Sequence, residues 1–438
     1  MKLFEHQTEG LKKAQNLNHV AFYWDMGLGK TFAGSEKMIQ LGAKMNLVVC
    51  QKSKIEDWMD HFCDNYDAEA LNMSVWDLTF DVGMASFLEN YGDCRICIGI
   101  INYDLIWRRP ELLQLKNFTL LLDESSLIQN ETAKRSRFIL KMQPANVILL
   151  SGTPTGGKYE RLWSQMHLLG WPISKDLYWK QFVTVDYLDT VEGRSIPIVT
   201  GYKNVDRLKR KMAKYGCQFL KTDEVFDLPS QIFQKVRCAA SKEYRKFRKD
   251  RIVTFEDPYT VENGYTLVGD TTLTRMLYER QLCGQYSDAK LKAFADLVES
   301  TEDRLIVFYN FTEELNRMQQ VLLNINFNEY SKRFSVVNGS EKHLQNYEEK
   351  SNSITFIQYQ AGAMGLNLQK ACRMIFFTLP LSSELYEQSK KRIHRIGQDK
   401  PCFYYQLIVT GSIEENILAT LEMRKDYTEK LFEKDDAV

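Results

Sequence analysis

Charge of one sign is what this 438-residue sequence most lacks: 57 Lys and Arg face 57 Asp and Glu, for a formal net charge of zero. There is no global basic field to draw the chain to nucleic acid, so any such binding must use a local groove. Long apolar runs are missing too. None approaches the ~18 residues of a membrane-spanning helix, and the opening Met-Lys-Leu-Phe-Glu-His-Gln has no apolar signal region. Cysteine is scattered, nine in all, and the only close pair is Cys94 and Cys97 in Cys-Arg-Ile-Cys-Ile-Gly-Ile, which reads as a buried strand. Residues three apart on a strand point to opposite faces, so these two are poor metal ligands and read as reduced core thiols. The six histidines have no metal spacing, and the aromatics form no stacking platform. No repeat or low-complexity tract occurs apart from a short polar tail at 433–438. The expectation is a soluble protein of a reducing cytoplasm with no membrane contact.

What is present is a phosphate-binding arrangement. The apolar stretch Val20 to Trp24 runs into Asp25-Met26-Gly27-Leu28-Gly29-Lys30-Thr31 and then into a helical pattern, Phe32, Ala33, Met38, Ile39. Strand, Gly-rich turn and helix let successive backbone N–H groups face the β- and γ-phosphates of a nucleotide. Lys30 would reach those phosphates and Thr31 would ligate Mg²⁺. Trp24 stands where the first glycine of such a loop normally belongs. Residues 118–126, Phe-Thr-Leu-Leu-Leu-Asp-Glu-Ser-Ser, form an apolar run ending in two carboxylates. That is a strand buried on both faces, with ligands bound at its C-terminal edge. Asp123 would hold Mg²⁺ through a water, and Glu124 is the natural base for the water attacking the γ-phosphate.

Short apolar strands alternate with helical patterns at Val20–Trp24, Leu47–Cys50, Arg95–Ile101, Thr119–Leu122 and Val147–Leu150. The rhythm returns at Arg304–Tyr309, Phe334–Val337, Ile354–Gln358, Arg373–Thr378 and Phe403–Val409. This is the signature of an α/β protein with parallel sheets. The spacing predicts a first lobe over 1–225, a linker with a helical and hairpin insertion over 226–300, and a second lobe over 301–438. Glu-Asn-Gly at the centre of Tyr259–Gly269 is a hairpin signal. Basic stretches at 203–221 and 235–251 read equally as phosphate-binding surfaces or as solvated helix faces.

With these residues in view, the chain resembles the superfamily 2 helicases, and among them the sucrose-non-fermenting type of DNA translocase, the motor of chromatin remodellers. The match spans nearly the whole sequence. It implies two RecA-like lobes with ATP bound in the cleft between them. Leu3 to Leu11 is similar to the family's opening element, which places Gln7 at the adenine. Val48 to Ser53 with Trp58, and Asn102-Tyr103-Asp104, are similar to motifs that contact the nucleic-acid backbone, which implicates Lys52, Asn102 and Tyr103. Asp123-Glu124 resembles the acidic box, although Ser125-Ser126 replace the usual Ala or Gly and His. Gln129 to Arg135 fits the pattern of this branch and adds Lys134 to the expected nucleic-acid contacts. Ser151-Gly152-Thr153-Pro154 resembles the motif that couples the γ-phosphate region to the DNA groove. In the second lobe, Leu305 to Thr312 contributes Asn310 as a nucleic-acid contact, and Gln360 to Leu368 contributes Gly365 to the nucleotide site.

Gln388 to Gln398, containing Arg-Ile-His-Arg-Ile-Gly-Gln, is the most branch-specific segment. The resemblance places Gln388 at the nucleotide. Arg392 and Arg395, three apart, are expected on one face of a helix, from which both reach the phosphate bound on the other lobe. A guanidinium placed across the cleft stabilises the transferring phosphoryl only when the lobes close. The chain begins at the first motif and ends soon after the last, so it reads as a bare motor, similar to compact bacterial and phage forms. The expected compartment is a bacterial or phage-infected cytoplasm. Targeting would come from a protein partner or not exist.

The resemblance implies a nucleic-acid-dependent ATPase with ATP and Mg²⁺ as its cofactors and double-stranded DNA as the first partner. Single-stranded DNA and RNA remain open. A strand-separating helicase would need a wedge, for which the 259–269 hairpin is the candidate. A DNA-binding clamp with little turnover is the third reading, and Lys30, Glu124, Arg392 and Arg395 argue against it because hydrolysis needs them and binding alone does not.

Overall fold

The computed structural model describes residues 3–89, 95–189, 195–255, 265–362 and 366–432. It divides into two compact units: residues 1–226 with 425–438, and residues 227–424. In the first, the strands are β1 (His19–Trp24), β2 (Met45–Cys50), β3 (Met73–Asp77), β4 (Ile96–Asn102), β5 (Thr119–Asp123), β6 (Asn146–Leu150), a separate antiparallel hairpin of β7 (Val183–Asp189) and β8 (Ser195–Tyr202), and β9 (Cys217–Leu220). Among the described residues, one sheet is ordered β3-β4-β2-β5-β6-β1-β9, and each of its pairings is parallel.

The near-continuous apolar runs follow from burial on both faces. Ala21, Tyr23, Leu47, Val49, Leu120, Leu122, Val147 and Leu149 pack on one side of the sheet, while Val20, Phe22, Trp24, Val48, Leu121, Ile148 and Leu150 pack on the other. Truncating any one of the central leucines to alanine would cost about 2–5 kcal/mol. Because the strands are parallel, their C-terminal ends share one edge. Trp24, Asp123 and Leu150 all end there, with Asp123 registered against Leu150.

The second unit contains β10 (Gln231–Cys238), the antiparallel pair β11 (Ile252–Phe255) and β12 (Tyr265–Val268), β13 (Leu305–Tyr309), β14 (Phe334–Val337), β15 (Lys342–His343), β16 (Ile354–Gln358), β17 (Arg373–Phe376) and β18 (Cys402–Val409). Among the described residues its main sheet is ordered β10-β18-β17-β13-β16-β14-β15, with only the β14–β15 pairing antiparallel. Fold class is therefore as the sequence predicts: α/β, with two parallel-sheet lobes.

The segment 226–300, expected as a linker and insertion, belongs to the second unit, and its β10 pairs over eight residues with β18. Lys235, read with a basic helical stretch, lies on that strand, and the helix starts only at Lys242. Ser241 caps the helix, its side chain accepting from the Tyr244 N–H. The stretch 203–221 likewise splits into a helix, Val205–Lys214, and the edge strand β9. Of the hairpin expected over 259–269, Tyr265–Val268 is β12, which pairs with β11 at Ile252–Phe255, before the expected first arm; residues 259–264, with the Glu-Asn-Gly centre, lie outside the described residues, as do Cys94 and Gly365. Cys97 is a buried residue of β4. Among the described residues no helix is long and apolar enough to cross a membrane, and no cluster of potential metal-binding side chains occurs.

Candidate active site

The phosphate loop forms where β1 meets the helix Lys30–Leu41. Gly27 and Gly29 have φ of +86° and +68°. Gly29 is also a close-approach point, because a Cβ there would lie 2.1 Å from Gln7 Nε2. Gln7, only 2 % exposed, donates to the carbonyls of Leu28 and Gly29 at 3.3 Å each, and its Oε1 accepts from the Phe4 N–H at 2.9 Å. His6 Nε2 donates to the Leu28 carbonyl at 3.0 Å. Gln7 therefore braces the loop from beneath, although the sequence around it alone suggests a helix surface. Beside it, Phe4 is 58 % exposed and stacks on His6 with ring centroids 5.8 Å apart.

Trp24, in place of the usual first glycine, points into the core. It packs on Phe22 at 4.8 Å and fills the space that Gly10 leaves open. Lys30 Nζ donates to the Trp24 and Asp25 carbonyls at 3.0 and 3.1 Å, which holds the ammonium at the mouth of the loop. Thr31 follows in the first turn of the helix, whose unpaired N–H groups are what an anion takes. Met26 sits half-buried against Gly152, where an added Cβ would meet its Cγ at 3.4 Å and Lys30 Nζ at 3.5 Å. These residues fit a triphosphate: a fixed ammonium, two glycines at positive φ and a helix N-terminus converge on one cradle.

Across the strand ends, Asp123 Oδ2 accepts from the Trp58 indole N–H at 2.9 Å. Burial pushes the Asp123 carboxyl up, opposed by that bond and by the ammonium groups of Lys30 and Lys54. Glu124 occupies the left-handed region, φ +53° and ψ +58°, which turns its side chain off the strand. Strain of this kind in a non-glycine residue clusters at functional sites. Ser151 Oγ lies 3.5 Å from Glu124 Oε2 and accepts the Thr153 N–H at 3.1 Å. Ser151, Gly152 and Thr153 are buried, and Thr153 Oγ1 has no hydrogen-bond partner among the described residues. Gln165, which the sequence reading did not single out, joins this region. It accepts from the Tyr23 and Ser125 hydroxyls and donates to the Pro154 carbonyl. Its only sequence signal is an amide set among the apolar residues Leu162, Trp163, Met166, Leu168 and Leu169.

Two expected nucleic-acid residues lie inside the fold instead. Tyr103 is 1 % exposed and donates to the Asp123 carbonyl at 2.9 Å, so it positions the acid pair rather than presenting itself to a ligand. Its neighbour Asn102 ends β4 and is buried. Lys52 and Lys134 are exposed, with Lys134 Nζ 4.5 Å from the Trp107 ring centre.

In the second unit, the Asn310 amide donates to Thr378 Oγ1 at 2.8 Å and to the Leu379 carbonyl at 3.1 Å. Gln388 lies buried in the helix Ser383–Lys390. Arg392 and Arg395 do not share a helical face: the helix ends at Lys390, and both arginines fall in the turns that follow. The reason is Gly397, at φ +91°, and Gln398, whose Nε2 donates to the carbonyls of Gln369, Ala371 and Ile393 at 3.1, 2.8 and 3.1 Å. The bond to Ile393 folds the segment back on itself, and the other two pin it to residues 369–371. Arg392 is buried, and Arg395 Nη1 donates to Asn367 Oδ1.

An ammonium at a glycine loop and two carboxylates opposite it, carried by one of two parallel-sheet lobes, mark an enzyme that hydrolyses ATP. Residues 10–287 match the SNF2-related domain and residues 289–397 the helicase conserved C-terminal domain; the chain belongs to the SNF2-related family. It is 24 % identical over 96 % of its length to the chromatin structure-remodeling complex protein SYD of Arabidopsis thaliana, and spans 13 % of that protein. It is 23 % identical over 91 % of its length to the mouse SWI/SNF-related matrix-associated actin-dependent regulator of chromatin subfamily A member 1, and spans 40 % of it. Among solved structures, the Sulfolobus solfataricus SWI2/SNF2 ATPase core in complex with dsDNA is 20 % identical, with 98 % of this chain and 92 % of that one covered and a TM-score of 0.44.

Proposed function

We propose that the chain is an ATP-driven translocase that moves along one strand of double-stranded DNA without separating the duplex, and so remodels DNA or protein–DNA complexes. The observation that carries this reading is the rigid turn holding Arg392 and Arg395, built by Gln398 from the branch-specific segment 388–398. Such a turn presents fixed guanidinium groups for phosphoryl transfer, which a clamp that only binds nucleotide does not need.

In this proposal Lys30 binds the β- and γ-phosphates, Phe4 and Gln7 take the adenine, and Glu124 orients the attacking water. Thr31 and Asp123 hold Mg²⁺, which when bound would neutralise phosphate charge. Arg392 and Arg395, carried by the second lobe, are the proposed guanidinium groups for phosphoryl transfer. The exposed lysines Lys52 and Lys134 are proposed phosphate contacts on the DNA. Targeting is assigned to a protein partner, and the reducing cytoplasm, bacterial or of a phage-infected host, is the proposed compartment. The eight described cysteines, all free, support that compartment.

The test is ATP hydrolysis measured alone and with duplex DNA, single-stranded DNA or RNA, with Lys30→Ala as the blank. Strong stimulation by duplex DNA, with no displacement of a labelled strand from a forked substrate, is the expected result. Stimulation by single strands alone would replace the translocase with a helicase. Turnover no faster than that of Glu124→Gln under every condition would leave the clamp.

A further inference from the structure

Gln165 lies in the helix Trp163–Leu168 and is completely buried. An amide in such a place costs stability unless every polar atom is satisfied, and an apolar side chain of similar size would fill the space without that requirement. All its polar atoms are used. Oε1 accepts from Tyr23 Oη at 2.9 Å and from Ser125 Oγ at 2.8 Å, while Nε2 donates to the Pro154 carbonyl at 2.8 Å.

The three partners are not arbitrary core groups. Tyr23 is two residues before the phosphate loop, Ser125 directly follows Glu124, and Pro154 directly follows the Ser151–Thr153 turn. One side chain is thus bonded to the three chain segments that carry the loop, the acid pair and the turn. A second path runs outside it: Gln129 Nε2 donates to the same Pro154 carbonyl at 3.4 Å, and the exposed Arg161 donates to Gln129 Oε1 at 3.2 Å.

We propose that Gln165 is a positioning residue that transmits the state of the nucleotide site to the Ser151–Pro154 turn, with Ser125 as its contact at the acid pair. The inference rests on the translocase reading. Because Ser125 and Tyr23 share one acceptor oxygen, a shift of Ser125 with Glu124 turns the amide, and the turn moves the Pro154 carbonyl bonded to its other end.

The test reads binding rather than turnover. The affinity for a duplex oligonucleotide is measured by fluorescence anisotropy with and without a slowly hydrolysed ATP analogue, and the ratio is the coupling between the two sites. Ser125→Ala and Gln165→Met are each expected to reduce that ratio by about 5-fold, the scale of one or two lost hydrogen bonds. Analogue affinity of the DNA-free protein should stay within about 2-fold. The double variant should couple no worse than Gln165→Met alone, since both changes cut one path. Ser125→Ala removes a single hydroxyl and keeps the test decisive if Gln165→Met lowers the melting temperature too far. Wild-type coupling retained in Ser125→Ala, or in a folded Gln165→Met, overturns the proposal alone. A wild-type ratio of one overturns the translocase reading and this proposal with it.

Discussion

The indole N–H of Trp58 donates to Asp123 Oδ2 at 2.9 Å, which ties the helix Ile55–Asn65 to the acid pair at the end of β5. The bond favours the ionised carboxylate, whereas burial, the larger influence on Asp123, favours the protonated one. In Trp58→Phe the packing is largely kept and the bond is lost, so the carboxyl moves further up. Activity that needs an ionised Asp123 then fails at a higher pH on acidification. The acid limb of kcat/KM is expected to rise by about one pH unit, as a hydrogen bond to a charged group is worth roughly 1.5–3 kcal/mol. Hydrolysis rates across the acid range check this, and an unmoved limb assigns it to another group.

Gly10 and Trp24 form a matched pair. A Cβ on Gly10 would lie 2.4 Å from the Trp24 ring, and the ring sits directly before the phosphate loop. Gly10→Ala is therefore expected to cost about 1–3 kcal/mol through overpacking, and to weaken nucleotide binding as the loop is displaced. Denaturant titration and analogue binding measure the two effects separately. A variant as stable as wild type would mean that the helix Glu5–Lys13 shifts freely, and that Gln7 does not brace the loop.

The sequence made the central strands readable because each is a short apolar run between turn signals, and burial on both faces demands that pattern. The edge strands β3, β9 and β10 escaped it. Gln231–Cys238 is mostly exposed and rich in polar residues, so neither alternation nor an apolar run marks it. The loop lysine and the carboxylates were legible as motifs with fixed spacing. The bond from Trp58 to Asp123, the place of Gln165 and the buried role of Tyr103 were not, because hydrogen bonds between residues 20 to 142 positions apart leave no local pattern. The helical face expected for Arg392 and Arg395 failed for a related reason. Spacing of three fits a helix, but Gln398 reaches back to three carbonyls and makes a turn of it.

Glu314 links Asn310 to Thr378 beneath the second sheet's edge. Its Oε2 accepts from the N–H groups of Asn310 and Phe311 and from Thr378 Oγ1 at 2.8, 3.2 and 2.9 Å. Burial nevertheless pushes the carboxyl up to about 7, against those bonds and the pull of Lys290. The folded state therefore holds this proton more tightly than the unfolded chain does. Stability from this group is present at low pH and falls as pH rises from about 4.5 to about 7, by a few kcal/mol at most. Glu314→Gln keeps an acceptor for the three donors and cannot ionise. Urea denaturation at about pH 5 and about pH 8 should show the variant gaining on wild type as pH rises. An equal pH dependence in both would mean that Glu314 ionises as readily folded as unfolded.

Arg395 separates a catalytic turn from a solvated basic one. Its guanidinium is half-buried and donates to Asn367 Oδ1, and the backbone beneath it is fixed by Gln398. If the translocase reading holds, this group meets the phosphoryl during transfer and contributes little to binding ATP in the ground state. Arg395→Ala should then retain ATP affinity and lose turnover by roughly 10³-fold or more. Arg395→Lys should recover little of it, because an ammonium cannot reproduce the planar fork. Asn367→Ala, which frees the side chain without removing its charge, should fall between wild type and Arg395→Ala. Single-turnover hydrolysis with nucleotide binding measured in parallel decides the matter. An Arg395→Ala rate equal to wild type removes this arginine from the machinery and leaves the ATP site to the first lobe alone.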